Sequence, residues 1–411
     1  MIRIISEEEA PTVLGRSVDR VGEAMGISAP IVADVRLRGD EALKEYRQRF
    51  DLVALDEPLY LDAGGELEAN LQQAVEQASR NIQSFAEAQL VTSWMSEFSD
   101  GRSLGQVVRP LNSVGVYVPA GRYPLISTLL MAVIPAQVAG VPNIVVACPH
   151  PSREILAVAK MLGVKQILHA GGAQAIAAMA YGTESVKPVQ RIVGPGNAYV
   201  AAAKKLVSQD VAIDFVAGPS EILIVASQGN AQWIAADMLA QAEHDVDARA
   251  ILLTTDKEFA LRVQAEIEIQ LSSLSTVQIA QRAIIDNSAI VVCDTTDSAF
   301  NLVNTIAPEH LSVEQKSDIE RVNSAGSIFV GQYSTEAAGD YASGPNHILP
   351  TAGNAAVRGG LSVNDFVKVI TVQELSKTAL RELEPAVTAL ARAEGLEAHA
   401  RSVETRNDAT A

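Results

Sequence analysis

The sequence of 411 residues has little of what marks several classes of protein. Its only cysteines, Cys148 and Cys293, lie in separate apolar runs, which predicts two free thiols rather than a disulfide framework. The 32 basic and 49 acidic residues give a net charge of −17, and no basic run offers a footprint for nucleic acid. No apolar stretch reaches the roughly 20 residues of a membrane span, and the N-terminal residues become acidic before a signal peptide could form. We therefore expect a cytoplasmic protein with neither nucleic acid nor a membrane as partner.

Aromatic residues make up only 4% of the chain, and histidines number six. Four of these histidines lie in the second half, each beside or near a carboxylate. A histidine next to a carboxylate can be a metal ligand, a general base or an ordinary surface pair. The hypothesis is that these residues form one shared site. The four pairs are Glu243–His244, Glu309–His310, Asp340 with His347, and Glu394 with His399.

The chain is long enough for two or three domains. Apolar residues at helical spacing predict helices over 29–50 and 65–90. From 114 onwards, short apolar runs alternate with helical segments, which indicates an α/β fold of two Rossmann-like three-layer domains with parallel sheets. We assign residues 1–20 to an N-terminal arm, 21–116 and 220–361 to a first α/β domain, 117–219 to a second Rossmann-like domain, and 362–411 to a helical C-terminal tail.

Two glycine-rich turns stand where a predicted strand leads into a helix. They are Ala170-Gly171-Gly172-Ala173-Gln174 and Gly194-Pro195-Gly196-Asn197. Glycine lets the backbone approach a ligand, and the following helix N-terminus favours an anion. Neither turn has the G-x-G-x-x-G pattern, so each alone is compatible with an ordinary tight turn. Both follow strands of one sheet, which together favours a nucleotide or dinucleotide site.

Gln241 and His244 lie three residues apart on a predicted helix and project within about 60° of each other. They can be metal ligands, although glutamine is an uncommon zinc ligand, or part of a solvated helix surface. Glu243 falls on another face and is not expected to be a ligand.

Glu309 and His310 follow Pro308 and enter an apolar strand, so a rigid loop-to-strand junction should hold both. The ordinary pKa of histidine, near ~6.5, suits proton transfer at neutral pH. The alternative is a polar cap on the strand. Asp340 lies in a segment rich in glycine and serine that predicts a loop, where it offers a hard oxygen ligand.

Glu394 and His399 are five residues apart and would point about 140° apart on an unbroken helix. Either Gly395 breaks the helix or the two residues have different roles. Both lie in a tail outside the α/β core, so they can reach the site of a partner chain, or they form a solvated helical tail.

Seven motifs follow one another in an order that resembles the histidinol dehydrogenase family over nearly the whole chain. They are Val114–Pro119, Pro135–Val141, Gly194–Asn197, Ile213–Glu221, Gln241–His244, Ala307–Leu311 and Gly339–His347. Glu394 and His399 follow them and also match the family. The family oxidises the amino alcohol histidinol to histidine in two NAD-dependent steps. Its members are homodimers in which each active site includes tail residues of the partner.

The resemblance implies a role for each matching residue. Gln241, His244, Asp340 and His399 would hold one zinc ion, and the same four residues with Ser220, His310 and Glu394 would contact the substrate. Tyr117, Gln174 and Asn197 match the family's NAD-contacting positions. His310 would accept the hydroxyl proton and Glu309 would activate water. His399 and Glu394 would act in the partner's site.

The sequence also departs from the family. Ala120 replaces a usual glycine, and Leu125–Thr128 and Ala132 replace a usual Tyr-Pro-Ser-Ser stretch and an asparagine. These changes leave open a related dehydrogenase for another small polar alcohol such as sulfopropanediol. A zinc hydrolase that needs no NAD and a catalytically silent paralogue are two further alternatives. The role of His347 stays open between substrate contact and loop support.

Overall fold

The computed structural model describes residues 1–14, 20–119 and 125–408. It contains two compact units, of which the first comprises Met1–Gln89 and Asn112–Phe366 and the second Leu90–Leu111 and Val367–Ala411. The departure expected at Ala120 lies outside the described residues. Within them, no helix has both the length and the apolar character that a membrane crossing requires.

The strands are short, as expected for an α/β protein. In chain order they are β1 (Arg3–Ser6), β2 (Tyr60–Asp62), β3 (Trp94–Glu97), β4 (Arg102–Pro110), β5 (Val114–Tyr117), β6 (Ile144–Ala147), β7 (Gln166–Leu168), β8 (Arg191–Val193), β9 (Ala212–Ile213), β10 (Glu221–Val225), β11 (Arg249–Thr254), β12 (Ala289–Val292), β13 (His310–Val313), β14 (Ser327–Val330) and β15 (Val367–Leu375).

Most helices lie between successive strands. They are α1 (Ala10–Val13), α2 (Arg20–Arg38), α3 (Asp40–Asp51), α4 (Ala69–Gln89), α5 (Ile126–Val138), α6 (Arg153–Met161), α7 (Gly172–Tyr181), α8 (Ala198–Val207), α9 (Ala231–Ala242), α10 (Lys257–Leu271), α11 (Val277–Arg282), α12 (Thr296–Ile306), α13 (Glu336–Tyr341), α14 (Lys377–Ala393) and α15 (Glu397–Asp408). A π-helical turn spans Ala283–Asn287, and 3-10 turns span Lys316–Arg321, Asn354–Ala356 and Val363–Phe366.

One sheet of the first unit has six strands in the order β1-β12-β11-β10-β13-β14, all parallel. Its order reverses between β10 and β13, as in doubly wound folds. Residues 1–20 are therefore not simply an arm, because β1 is the edge strand of this sheet. Ile2 and Ile5, which are 1% and 8% exposed, fix it there by entering the hydrophobic core.

The other sheet has the order β2-β7-β6-β5-β8-β9, with parallel strands except for the antiparallel edge strand β2. Helices α2 and α3 belong to this sheet, since Ile31, Val35 and Leu43 share a core with Ile176 and Val200 of α7 and α8. The assignment of residues 21–116 to the first α/β domain is thus wrong for these helices. The apolar face of α2 packs against the alanine-rich helices α7 and α8.

The second unit contains an antiparallel sheet in the order β15-β4-β3, followed by α14 and α15. The prediction of a purely helical tail is wrong here, because Val367–Leu375 pairs with Arg102–Pro110 along its nine residues. Strand β3 was likewise not predicted from the sequence. Strand β15 is rich in β-branched residues, which favours an extended backbone, whereas β3 (Trp94–Glu97) contains none.

Candidate active site

His310 is the first residue of β13 and is 3% exposed. Helix α12 ends at Ile306, and the left-handed φ of +51° at its C-cap Ala307, with Pro308 after it, stops the helix and turns the chain into the strand. The expected loop-to-strand junction is confirmed. In the parallel register, His310 lies opposite Ile222 of β10 and Ser327 of β14. The site therefore lies at the amino ends of these strands.

Four acidic residues surround the imidazole of His310. Its Nδ1 lies 3.4 Å from Glu336 Oε1 and 3.8 Å from Glu309 Oε2, and its Nε2 lies 3.6 Å from Asp340 Oδ1. Nδ1 also lies 3.2 Å from the carbonyl oxygen of Glu221. Burial lowers the pKa of His310, but the carboxylates, first Glu336 and then Glu309, outweigh it and raise that pKa to about 10.

The two glutamates beside His310 are themselves buried. Glu309 Oε2 accepts a hydrogen bond of 2.9 Å from the Glu221 backbone N–H, and burial raises the Glu309 pKa to about 7. Neither carboxylate oxygen of Glu336 has a hydrogen-bond partner among the described residues. Burial raises the pKa of Glu336 to about 8. The cluster therefore contains groups that exchange protons near neutral pH.

The end of α9 and the turn that follows it supply a second set of polar groups to this region. Gln241 is fully buried, at 0% exposed, and neither atom of its amide has a hydrogen-bond partner within the described part of the chain. The alternative of a solvated helix surface is therefore wrong for Gln241, whereas the side chain of His244, two residues beyond the end of α9, is exposed. His244 Nε2 lies 4.0 Å from Asp340 Oδ2. Glu243 points elsewhere and accepts a hydrogen bond of 2.8 Å from the Thr276 hydroxyl.

Asp340 lies within helix α13, so the prediction of a loop at this position is wrong. The hydroxyl of Thr335 accepts a hydrogen bond from the Ala338 N–H and begins the helix. Burial opposes ionisation of Asp340, but the His310 imidazole outweighs it and lowers the Asp340 pKa.

The His347 ring supports the end of this segment. Its Nδ1 lies 2.7 Å from the Asp340 carbonyl oxygen, and its Nε2 lies 3.5 Å from Thr128 Oγ1. A small cavity between the two rings is lined by His310, Asp340 and His347, among others. In this arrangement His347 holds the loop after α13 and borders the cavity at the same time.

Ligand-type atoms of His310, Glu336 and Asp340 lie within 4.8 Å of one another. Asp340 is common to this trio and to the zinc set predicted from the sequence. The trio would make His310 a metal ligand, whereas the predicted zinc set leaves His310 as a base. A ring nitrogen that binds a metal cannot accept a proton at the same time, so the two sets assign different roles to His310.

The remaining predicted substrate and metal residues are Ser220, Glu394 and His399. Ser220 precedes β10, and its carbonyl accepts a hydrogen bond of 3.1 Å from the Arg249 N–H. Glu394 and His399 belong to the second unit, where both side chains are exposed. Gly395, with φ of +78°, separates α14 from α15, so the helix is broken between them as one alternative required.

The two glycine-rich turns lie at the carboxyl ends of β7 and β8 in one sheet, as predicted. Tyr117, at the end of β5, is buried, and its hydroxyl accepts a hydrogen bond of 3.1 Å from the Gly172 N–H. Gln174 donates to Asp51 Oδ2 over 3.1 Å. Asn197 caps α8, with its side-chain oxygen 3.1 Å from the N–H groups of Tyr199 and Val200. The three predicted cofactor positions thus border one edge of the sheet.

Sequence reasoning missed several residues of these clusters. Asp237 lies one helical turn before Gln241, and burial raises its pKa to about 6; the spacing of four residues could have revealed it. Glu336 follows a helix-capping threonine, which predicts a helix start but not burial. Asp51, which accepts a 2.9 Å hydrogen bond from the Gly171 N–H, is 120 positions away in the chain.

The structure has two doubly wound, mainly parallel sheets, with glycine turns at the carboxyl edge of one and a buried histidine–carboxylate cluster at the amino edge of the other. This combination is typical of dehydrogenase-type oxidoreductases. A family model described as histidinol dehydrogenase matches residues 15–407. Histidinol dehydrogenase of Geobacillus kaustophilus is 48% identical over 391 residues, covering 92% of each chain. That of Bacillus subtilis is 44% identical over 409 residues, covering 96% of each. The chain belongs to the histidinol dehydrogenase family.

Solved structures agree with this assignment. The crystal structure of histidinol dehydrogenase from Elizabethkingia anophelis matches with a TM-score of 0.94 and 36% identity over 98% of both chains. An acetylating aldehyde dehydrogenase from Geobacillus thermoglucosidasius reaches a TM-score of 0.52 at 13% identity, over 90% of this chain and 95% of that one. The second likeness concerns the fold alone.

Proposed function

We propose that this protein oxidises histidinol to histidine in two NAD-dependent steps through the aldehyde. The observation that carries the proposal is the buried Glu309–His310 pair, which offers two proton acceptors in one cluster of a chain from this family. A two-step oxidation needs both acceptors, because the first step removes a hydroxyl proton and the second removes a proton from water. The alternative of another small polar alcohol is not favoured by the names of the relatives.

The residues present fit a divalent metal ion. The Gln241 amide is buried and has no hydrogen-bond partner among the residues that the structure describes, and a ligand role would explain why a polar group is kept at 0% exposure. Gln241, His244 and Asp340 would hold zinc together with His399 of the partner subunit, a mixed set of nitrogen and oxygen ligands. Glu336 would remain outside this set as a partner of His310.

The carboxyl edge of the β2–β9 sheet fits a dinucleotide. Tyr117, Gln174 and Asn197 border it, and the N-terminus of α8 follows a glycine turn there. When bound, NAD would supply the hydride acceptor, and zinc would supply a fixed cation that orients the substrate and offsets the Asp340 charge, one of those that raise the His310 pKa.

The proton-transfer roles follow from the geometry of His310. Its Nδ1 lies 3.2 Å from the Glu221 carbonyl oxygen, so a proton on Nδ1 leaves Nε2 as the acceptor. Nε2 is buried and has no hydrogen-bond partner in the described residues. In the first step, Nε2 takes the substrate's hydroxyl proton while the carbinol carbon loses a hydride, which gives the aldehyde.

Glu309 is suited to the second step. One of its oxygens is anchored 2.9 Å from the Glu221 N–H, and burial places its pKa at about 7. As a carboxylate it accepts a proton from the water that attacks the aldehyde carbon. Loss of a second hydride from that carbon then gives the carboxylic acid.

We further propose a homodimer with shared active sites in the reducing cytoplasm. The second unit exposes large apolar side chains on its sheet, including Trp94 at 50%, Met95 at 48% and Ile370 at 47%. A second copy of the chain would cover such a surface. The exposed Glu394 and His399 would then act in the partner's site. Both cysteines are buried and free, which fits a reducing compartment.

An assay of NADH formation tests the proposed reaction. Purified protein should form NADH from histidinol, lose this activity when zinc is chelated, and regain it when zinc is restored. NADH formation from sulfopropanediol but not from histidinol would show that the related dehydrogenase is the correct function. Inactivity towards every alcohol would favour the zinc hydrolase or the catalytically silent paralogue.

Mixed dimers test the shared site. A His310→Ala chain and a His399→Ala chain should each be inactive alone. Mixed and allowed to exchange subunits, they should regain part of the activity, because one site of the heterodimer contains both histidines. No recovery in a sample where heterodimers are shown to form would contradict the shared site.

A further inference from the structure

An ion pair is fully enclosed beside the second glycine turn. Lys204 of α8 and Asp214, which follows β9, are each 2% exposed, and Lys204 Nζ contacts Asp214 Oδ1. Removing two charges from water costs several kcal/mol per ion, and apolar residues of similar volume are often no less stable. A pair at this position therefore points to a role other than stability.

Both charges of the pair are directed at the backbone of Gly194. The Gly194 N–H donates a hydrogen bond of 2.8 Å to Asp214 Oδ2. The Lys204 ammonium donates one of 2.9 Å to the Gly194 carbonyl oxygen. The N–H and the carbonyl group of this one turn residue are thus hydrogen-bonded to side chains of opposite charge. Hydrogen bonds with a charged partner are about twice as strong as neutral ones.

The conformation of Gly194 shows how tightly this turn is placed. Its φ is +114°, and a Cβ built there would lie 2.1 Å from the Tyr117 carbonyl oxygen at the end of β5. The turn therefore lies directly against the strand that carries Tyr117. A small displacement of Gly194 would move Asn197, three residues on, at the start of α8.

Asp214 also begins the segment that connects the two sheets and ends at Ser220. The Asp214 carbonyl accepts a hydrogen bond from Arg358, whose guanidinium lies 4.9 Å from the centre of the Phe215 ring. A third contact of the Asp214 carboxylate is the Phe215 N–H, which donates to it over 2.6 Å. These contacts fix the position of Asp214, and its carboxylate in turn fixes the Gly194 N–H.

We infer that Lys204 and Asp214 are positioning residues that fix the Gly194–Asn197 turn for NAD. This inference rests on the proposed function, since that function places NAD at this edge of the sheet. Both side chains are buried and bound internally, so neither contacts the cofactor. Their effect should appear in the affinity for NAD and not at the His310 cluster.

The direct test compares NAD affinity in variants of the zinc-loaded dimer by calorimetric titration. Removal of one charge leaves the other buried and unpaired, which can prevent folding. The informative variant therefore carries Lys204→Met and Asp214→Leu together. We expect it to bind NAD at least about tenfold more weakly, or about 1.4 kcal/mol, with zinc content and the KM for histidinol unchanged. Lys205→Met, at the exposed neighbouring position, is the matched control and should bind NAD normally.

Two results would overturn the inference. One is an NAD affinity of the double variant within twofold of the unmodified protein. The other is a parallel loss of zinc and histidinol binding, which would indicate a general structural role. Failure of the unmodified protein to bind NAD is a different outcome, because it would reject the proposed function before any variant is compared.

Hydrogen exchange of the unmodified protein needs no substitution. Because Asp214 binds the Gly194 N–H without any ligand, a peptide that contains Gly194 should retain a slowly exchanging amide in the absence of NAD. Exchange at the rate of an unstructured chain would overturn the inference, even if the double variant failed to fold.

Discussion

The amide of Gln241 provides the most discriminating prediction, because its effects on stability and on metal binding should have opposite signs. The side chain is 0% exposed, and neither amide atom has a hydrogen-bond partner in the described residues. A buried amide without a partner destabilises a protein by about 1–3 kcal/mol. A ligand role would offset this cost only when the metal is bound.

The change to make is Gln241→Leu, which keeps much of the volume and removes the amide. In the metal-free protein the free energy of unfolding should rise by about 1–3 kcal/mol, since leucine loses no hydrogen bond there. In the presence of zinc the same variant should bind the ion at least about tenfold more weakly, because one ligand is gone. The stabilisation by saturating zinc should shrink accordingly.

Urea unfolding with and without zinc, together with zinc titration, measures both effects. Gln232→Leu is the control, because Gln232 lies on the same helix with its side chain exposed, and neither quantity should change. A metal-free Gln241→Leu protein that is less stable than the unmodified one would refute the claim of an unpartnered amide. Unchanged zinc affinity would refute the ligand role.

Further substitutions test other parts of the account. Glu309→Gln should still allow the first oxidation but stop the second. In the unmodified protein, burial raises the Glu309 pKa to about 7, so the rate of NADH formation from the aldehyde should fall as the pH drops below about 7. A rate that does not depend on pH would contradict this role. Gly194→Ala should lower the free energy of unfolding by about 3 kcal/mol or more, from strain at positive φ and overlap with Tyr117. Gly229→Ala, with φ of +99° and no described atom within 4 Å, should cost only about 1 kcal/mol; equal losses would exclude the overlap. Ile370→Asp should yield monomers in sedimentation analysis, and an intact dimer would place the interface elsewhere.

The alternation of strands and helices was predictable because each element carries its own periodicity. The helices predicted over 29–50 and 65–90 correspond to α2, α3 and α4, with Gly39 between α2 and α3. The strands that were missed depend on distant partners. Val367–Leu375 is extended because Arg102–Pro110 pairs with it, more than 250 residues earlier in the chain. No local pattern contains that information.

The candidate site was predictable to the extent that its residues are unusual in the sequence. Histidines are few, so His244, His310 and His347 stood out together with their neighbouring carboxylates. Glu336 did not stand out, because it is one of many glutamates and only its burial beside His310 distinguishes it. Lys204 and Asp214 did not stand out either. They are ten residues apart in the sequence, and only their contact in the folded protein distinguishes them from other charged residues.

The central claim is that this chain carries out both oxidations at one site, and the NADH yield from limiting histidinol tests it most directly. With excess NAD and zinc-loaded protein, each molecule of histidinol should give about two NADH and one histidine. Glu309→Gln should give about one NADH and the aldehyde. A yield of one NADH by the unmodified protein, with the aldehyde as the final product, would contradict the account.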